Sequence, residues 1–326
     1  MIKKIALIGN QNCGKTTLFN ALTGSSQHVG NFPGVTVEQK TGFIKKHKDE
    51  LELIDLPGIY SLSPYTSEEI VSIRYLLEEK PCLIINIIDA TNMERNLYLT
   101  TQLLELNIPM ILVLNMMDEV IVSGNSIDID GLKERLEMDV VPISASKNEG
   151  IEDVITAIEK NLDQSSHHID ICHGVVHKAI HSISHIVEQS AQSLHLPLRY
   201  CVTKIIEGDE DMFDKLHIDQ GDRHIIEHIL EKMEEEAGTD REAALVDMRY
   251  SFIEDVCHHT VFIESETKEQ IRSEKIDRLL THKFLGIPIF ILIMLFIFYL
   301  TFSLIGAPLQ DLMDSLIGQF SNWIIH

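Results

Sequence analysis

The sequence predicts an α/β fold, a mostly parallel sheet flanked by helices, followed by an all-α domain and then a transmembrane helix. Three observations predict it. Short apolar runs alternate with helical patterns through the N-terminal half. Residues 173–281 keep a helical period but hold no convincing strand run. Phe284 to Ile305 is a stretch of 22 residues without a charge. The expected boundaries are 1–165, 166–282, 283–306 and 307–326.

Ile5-Ala-Leu-Ile8 is an apolar run ending at Gly9, as expected of a buried strand feeding a loop. Leu18, Ala21 and Leu22 give residues 17–23 a helical pattern. Residues 25–41 are rich in Gly, Asn and Pro and read as a mobile loop. Residues 51–55 read as a strand that delivers Asp55 to its C-terminal end. Thr66-Ser-Glu-Glu69 is a capping box opening a helix to about Glu79, stopped by Pro81. Residues 82–89 and 110–115 are two more apolar strands, with Leu97, Thr101 and Leu104 at helical spacing between them. A last strand is expected at 140–143 and a helix at 151–162. Ligands of such sheets sit beyond the carboxyl ends of the strands.

The character changes after Gln164-Ser-Ser-His167. Helix starts such as Thr239-Asp-Arg-Glu242 and acidic patches follow. Arg272, Lys275, Arg278 and Lys283 precede the apolar segment and no Lys or Arg follows it, which places the N-terminal domains in the cytoplasm. Leu309, Leu312, Met313, Leu316, Ile317 and Phe320 recur at helical spacing, as in an amphipathic interfacial helix or the approach to a further span.

A net charge of −23 excludes a nucleic-acid backbone as partner. It also means that an anionic ligand must be held by local geometry. The five cysteines are scattered without a CxxC pair, which fits a reducing compartment. The N-terminus starts a charged strand pattern rather than a signal peptide.

Four stretches carry the chemistry, and all fall at predicted strand ends. In Gly9-Asn10-Gln11-Asn12-Cys13-Gly14-Lys15-Thr16, with Thr17 behind it, the glycines let the backbone curl around a phosphate chain. Lys15 reaches the outer phosphates and the Thr16 hydroxyl suits Mg²⁺. Asp55-Leu56-Pro57-Gly58 offers a carboxylate to Mg²⁺ and the Gly58 N–H to a γ-phosphate. Asn115-Met116-Met117-Asp118 places a carboxylate where guanine offers two N–H donors that adenine lacks. Ser144-Ala145-Ser146 would back the base. In the loop, Thr36 is the expected second hydroxyl on the Mg²⁺ side, with Gly34 and Val35 beside it. The four together predict a P-loop GTPase domain that binds GTP or GDP, with Lys15, Thr36 and Gly58 in its catalytic set. Residues 27–41 and 59–67 are expected to change order with the γ-phosphate.

Three stretches resemble the ferrous iron transport protein B (FeoB) family of bacteria. They are the phosphate loop, Val29-Gly-Asn-Phe-Pro-Gly-Val-Thr-Val37 and Asp55-Leu-Pro-Gly-Ile-Tyr-Ser-Leu62. The resemblance implies GTP-dependent uptake of Fe²⁺ across the inner membrane, with a helical domain similar to a dissociation inhibitor. It also implies small accessory transport proteins and a homo-oligomer as partners. Family members are longer and polytopic, so the chain reads as an N-terminal part. The alternative is a regulatory GTP-sensing module that gates or assembles a Fe(II) channel without powering it. Ile59 replaces the water-orienting Gln of Ras-like sites, so the water is oriented from elsewhere or intrinsic turnover is slow. Asn12 stands where potassium-activated GTPases similar to this one carry the Asn that binds K⁺, so K⁺ is the implied activator.

Some features are weaker. Cys13, beside Lys15 and a helix N-terminus, suits a lowered pKa, although a small residue tolerated in the loop is the plainer reading. His173, His177, His181 and His185 form a stripe that can bind a divalent metal but reads first as an ordinary polar face. Glu254 with Cys257, His258 and His259 is similar. Glu207, Asp209, Glu210 and Asp211 read as a solvated loop.

Overall fold

The computed structural model describes residues 2–24, 27–32, 35, 37–45, 50–62, 67–162, 171–263, 286–306, 308–310, 313 and 317. The chain divides into two compact units, Met1–Glu264 and Ser265–His326.

The first unit is built on a seven-stranded sheet of order β2-β3-β4-β1-β5-β6-β8. Its strands are β1 (Lys3–Gly9), β2 (Gln27–Asn31), β3 (Glu38–Phe43), β4 (Leu51–Asp55), β5 (Leu83–Asp89), β6 (Met110–Asn115) and β8 (Val140–Pro142). From β4 to β8 the strands are parallel, with Ile5 of β1 opposite both Leu53 and Leu83. Such strands are covered on both faces and read as continuous apolar runs, which is why the sequence marks them.

Helices α1 (Lys15–Thr23) and α6 (Ile151–Asn161) bring Leu18, Phe19, Leu22, Val154 and Ile158 onto Ile5, Leu7 and Ile85. Helices α2 (Ser67–Glu78) and α3 (Met93–Leu104) cover the other face. Each fully buried Leu, Ile or Phe there stabilises by roughly 1.5–3 kcal/mol.

Residues 25–41 differ from the expected mobile loop. Gln27–Asn31 and Glu38–Phe43 are antiparallel strands, and β3 in turn pairs with β4, setting Lys40 opposite Asp55. Gln-His-Val-Gly-Asn carries no apolar alternation because β2 is a largely exposed edge strand. Its stability comes from pairing, which composition does not display.

After α4 (Met117–Val122), β7 (Asn125–Ile127) and α5 (Ile129–Leu136), five helices follow. They are α7 (Gly174–Ser193), α8 (Leu198–Ile206), α9 (Glu210–Lys215), α10 (Gln220–Ala237) and α11 (Arg241–Thr260). Ile183, Val187, Ile205 and Leu230 join the same apolar cluster as Ala6, Ile54 and Leu103 of the sheet layer. The start of α11 is capped one residue later than its sequence suggests: Asp240, not Thr239, accepts the Ala243 N–H at 2.9 Å. Two further short strands have no signal in the sequence: β9 (Val261–Ile263) pairs antiparallel with β7 and ties the end of the helical part back to the sheet domain.

The acidic run is not a solvated loop. Glu207 pairs with Arg249 and with Lys204, Asp209 caps α9 at the Met212 N–H, and Glu210 pairs with Arg223.

In the second unit, α12 (Gly286–Tyr299) is followed by a π-helical segment, Leu300–Gly306. Where a 22-residue span is expected, the described part is thus fourteen α-helical residues followed by seven π-helical ones. Fourteen α-helical residues rise about 21 Å against a hydrocarbon core of about 30 Å. Among the described residues no helix is long and apolar enough to cross a membrane. Apolarity sets the extent of the segment, not its pitch, and the hydrogen-bond pattern widens after Tyr299. Ile287 and Phe290 to Tyr299 of α12 are exposed, Ile289 is half-buried, and Leu309, Met313 and Ile317 are exposed as well. Residues 163–170 and 264–285, including the basic cluster before the apolar segment, lie outside the described residues.

Candidate functional site

The site is assembled at the carboxyl ends of β1, β4 and β6 and in the turn after β8. Asn10, Gln11, Asn12, Gly14, Lys15, Thr16, Thr17 and Gly58 line one cleft of about 500 Å³. Two glycines are required by space. A Cβ on Gly9 would lie 2.1 Å from the Ile87 carbonyl oxygen. One on Gly14, whose φ is +89°, would lie 2.1 Å from Asn115 Nδ2. Asn12 takes a left-handed backbone at φ 65° and is exposed on the cleft.

Asn115 is the clasp that joins two of the motifs. Its Nδ2 donates to the Cys13 carbonyl at 2.8 Å, and its Oδ1 accepts the Ala145 N–H at 2.9 Å. Asn115 is buried, so both bonds are sheltered from water. The Ala145 N–H is therefore directed at Asn115. Asp118 accepts from Ser144 Oγ at 2.8 Å and pairs with Lys147 Nζ at 3.0 Å. The Lys147 and Ser144 donors hold its pKa below the usual carboxylate range. Met116 turns the chain at φ 66° so that Met117 can open α4. Ser146 is exposed.

Lys15 Nζ lies 2.5 Å from Asp55 Oδ1, with both side chains largely buried. Burial raises the Asp55 pKa and the Lys15 charge works against that rise. The Ile59 N–H donates to the Gly9 carbonyl at 3.2 Å, which lays Gly58 against Gln11. Leu56 is buried and Pro57 half-buried. The Ile59 side chain is 0% exposed and packs in the core, so it does not reach the cleft. Val35 packs against that core, while Gly34 and Thr36 lie outside the described residues.

The donor set suits a hard cation. Thr16 offers a hydroxyl on the cleft, and Asp55 is tied to it through Lys15. Among the described residues no group of three or more His, Cys, Asp or Glu could hold a metal ion. Mg²⁺ would take one or two of the Thr16 and Asp55 oxygens and rely on substrate phosphates and water for the rest. The absence of such a group also leaves the stripe from His173 to His185 without a third ligand, although the His181 and His185 rings stand 4.6 Å apart.

Cys13 is not a partly exposed thiol. It is 1% exposed, and burial pushes its pKa up to about 11 against the lowering effect of Lys15. At pH 8 the folded chain is expected to resist alkylation at Cys13 by iodoacetamide, with labelling appearing only after denaturation. Mass spectrometry of the labelled peptide checks this, and rapid labelling of the folded chain would contradict it.

Two interactions of this region are not announced by any motif. Gln102 of α3 accepts the Leu62 N–H at 2.8 Å and donates to Ser61 at 3.2 Å. Lys147 is the other, and its basic charge next to Ser144-Ala145-Ser146 is the only signal it leaves in the sequence.

Comparison with known proteins places these features. The family described as "Ferrous iron transport protein B" matches residues 3–158, and the "FeoB cytosolic helical domain" matches 173–261. The Fe(2+) transporter FeoB of Staphylococcus aureus (strain MSSA476) is 35% identical over 319 residues, covering 97% of this chain and 47% of that protein. A Porphyromonas gingivalis fusion of Fe(2+) transport protein A with Fe(2+) transporter FeoB is 36% identical, covering 94% of this chain and 38% of that protein. The chain thus spans less than half the length of these relatives. A GDP-bound mutant of S. thermophilus NFeoB has a TM-score of 0.73 at 42% identity, over 80% of this chain and 100% of that one. NFeoB from S. thermophilus bound to GDP·AlF4⁻ and K⁺ has a TM-score of 0.69 at 42% identity, over 79% of this chain and 100% of that one. The N-terminal part has the GTP-binding P-loop GTPase fold of FeoB G-domains. With its sheet, its phosphate loop and its helical part all matched, the chain belongs to the ferrous iron transport protein B family.

Proposed function

We propose that residues 1–165 bind GTP with Mg²⁺ and hydrolyse it slowly with K⁺ stimulation, as the cytoplasmic part of an inner-membrane Fe²⁺ transporter. Residues 166–282 pass the change on, and residues 283–306 attach the unit to the membrane. The observation that carries the reading is the Asn115 clasp, which holds the phosphate loop and the base-side turn in one frame.

Bound Mg²⁺ and K⁺ would neutralise charge on the phosphate oxygens. Lys15 exchanges Asp55 for the outer phosphates, which releases the Asp55 carboxylate to the metal side together with Thr16 and Thr36. The Gly58 N–H faces the γ-phosphate, and Asp118 takes the two guanine donors. The attacking water would be brought into line by backbone groups and by a K⁺ held at Asn12, because the buried Ile59 side chain does not reach the cleft. The largely exposed apolar helix α12 supports the membrane role.

GTP turnover measured in K⁺ and in Na⁺ tests this. Lys15→Ala is expected to lose about a hundred-fold or more of turnover, and Asn12→Ala to lose the preference for K⁺. Equal rates in both salts would remove K⁺ from the scheme. The buried Ile59 also favours a second reading, a slow GTP sensor that gates the channel. Normal Fe²⁺ uptake with the corresponding lysine replaced in a full-length relative would select it.

A further inference from the structure

The carboxylate expected to read guanine has both oxygens engaged. Ser144 Oγ donates to Asp118 Oδ1 at 2.8 Å, and Lys147 Nζ stands 3.0 Å from Asp118 Oδ2. Guanine recognition by a carboxylate uses both oxygens, one for N1–H and one for the 2-amino group. A ligand base therefore meets an ammonium already on Oδ2.

Lys147 is held there by its turn. Residues 145–147 form a 3₁₀ turn, with the Lys147 N–H donating to the Ser144 carbonyl at 3.0 Å and the Asn148 N–H to the Ala145 carbonyl at 3.3 Å. Ser144 and Glu149 exchange two backbone bonds, at 3.2 and 3.1 Å, which close the loop. The neighbouring cleft of about 380 Å³ is lined by Asp118 and Lys147 and by two further carboxylates, Glu149 and Asp153. These give the lysine somewhere to go when a base takes Oδ2. At 53% exposure its side chain is free to swing between them.

We propose that Lys147 is a positioning residue that competes with guanine for Asp118, weakening nucleotide binding and hastening GDP release. The proposal rests on Asp118 being the base-reading group. A contact made in the empty protein and displaced by the ligand subtracts from affinity by what it is worth. For a half-exposed ion pair that is about two- to five-fold in Kd, mostly through the dissociation rate. The same pair is screened by salt, so its influence fades as ionic strength rises.

The test uses the whole chain and fluorescent GDP, with Lys147→Gln, Lys147→Arg and Asp118→Asn beside the unaltered protein. Lys147→Gln is expected to bind GDP about two- to five-fold more tightly and to release it correspondingly more slowly. Lys147→Arg is expected to restore the faster release. Raising salt should bring the unaltered protein toward Lys147→Gln and leave that variant unmoved. Unchanged or weaker GDP binding by Lys147→Gln, with Asp118→Asn still losing GDP, overturns the competition alone. If Asp118→Asn binds GDP normally, the base-reading role of Asp118 falls first.

Discussion

Replacing Arg249 by Met is expected to destabilise the first unit by about 3–5 kcal/mol. Arg249 is 1% exposed on α11, and its Nη2 lies 2.9 Å from Glu105 Oε1, itself 3% exposed. Its Nη1 lies 3.3 Å from Glu207 Oε1. Burial works against the guanidinium charge, but Glu105 and Glu207 outweigh it and hold the pKa above the ordinary Arg value. Removing the cation leaves Glu105 charged and buried, with the Thr203 hydroxyl at 2.8 Å as its remaining side-chain donor among the described residues. For a unit of this size the melting temperature should fall by roughly 2–4 °C per kcal/mol, or about 6–20 °C in all. Thermal unfolding measures it, and an unchanged melting temperature would contradict the assignment. Adding Glu105→Leu to Arg249→Met should recover most of the loss, because an apolar replacement of a whole buried pair is often neutral or better.

That recovery matters for coupling. Glu105 follows α3 directly, and three residues earlier Gln102 holds Leu62 and Ser61, just beyond Gly58. At its other end the network reaches Thr203 on α8 and Arg249 on α11. A movement of residues 58–62 is thus connected by buried polar contacts to two helices of the helical part. The stabilised double variant separates that connection from mere folding.

Little of this network was legible in the sequence, for a physical reason. Arg249, Glu105 and Thr203 are far apart along the chain, and each alone resembles an ordinary helix-surface residue. The phosphate loop, Asp55, Asn115 and Asp118 were legible because buried parallel strands read as apolar runs and their ends announce the site. The strands at Gln27–Asn31 and Val261–Ile263 were hidden, since each is short and depends on a partner strand rather than on its own pattern. The Glu207–Asp211 run misled in the opposite direction. Charge density suggested solvent, whereas Glu207 turns inward to Lys204 and Arg249. In the apolar segment the composition was read correctly, but the hydrogen-bond pattern after Tyr299 was not a sequence property that periodicity exposes.

The second large effect is expected at Asp118. Asp118→Asn should weaken GTP and GDP binding by about a hundred-fold or more and should transfer the preference to xanthine nucleotides. Guanine presents N1–H and a 2-amino group, both donors, and a carboxylate is an acceptor at both oxygens. An Asn side chain keeps one acceptor and turns the other atom into a donor, which clashes with the 2-amino group. Xanthine carries a carbonyl oxygen at that position, so the new N–H donates to it while the remaining oxygen accepts N1–H. The Ser144 hydroxyl, 2.8 Å from Oδ1, still has a carbonyl oxygen to donate to, which fixes which way the amide faces. Lys147 then loses its charged partner and gains no advantage over the base. Competition of XDP and GDP for the variant measures the switch. Retained GDP affinity would show that the base is read elsewhere. Loss of both nucleotides with an unchanged melting temperature would show that Asp118 acts through its charge and not through the pattern of its two oxygens.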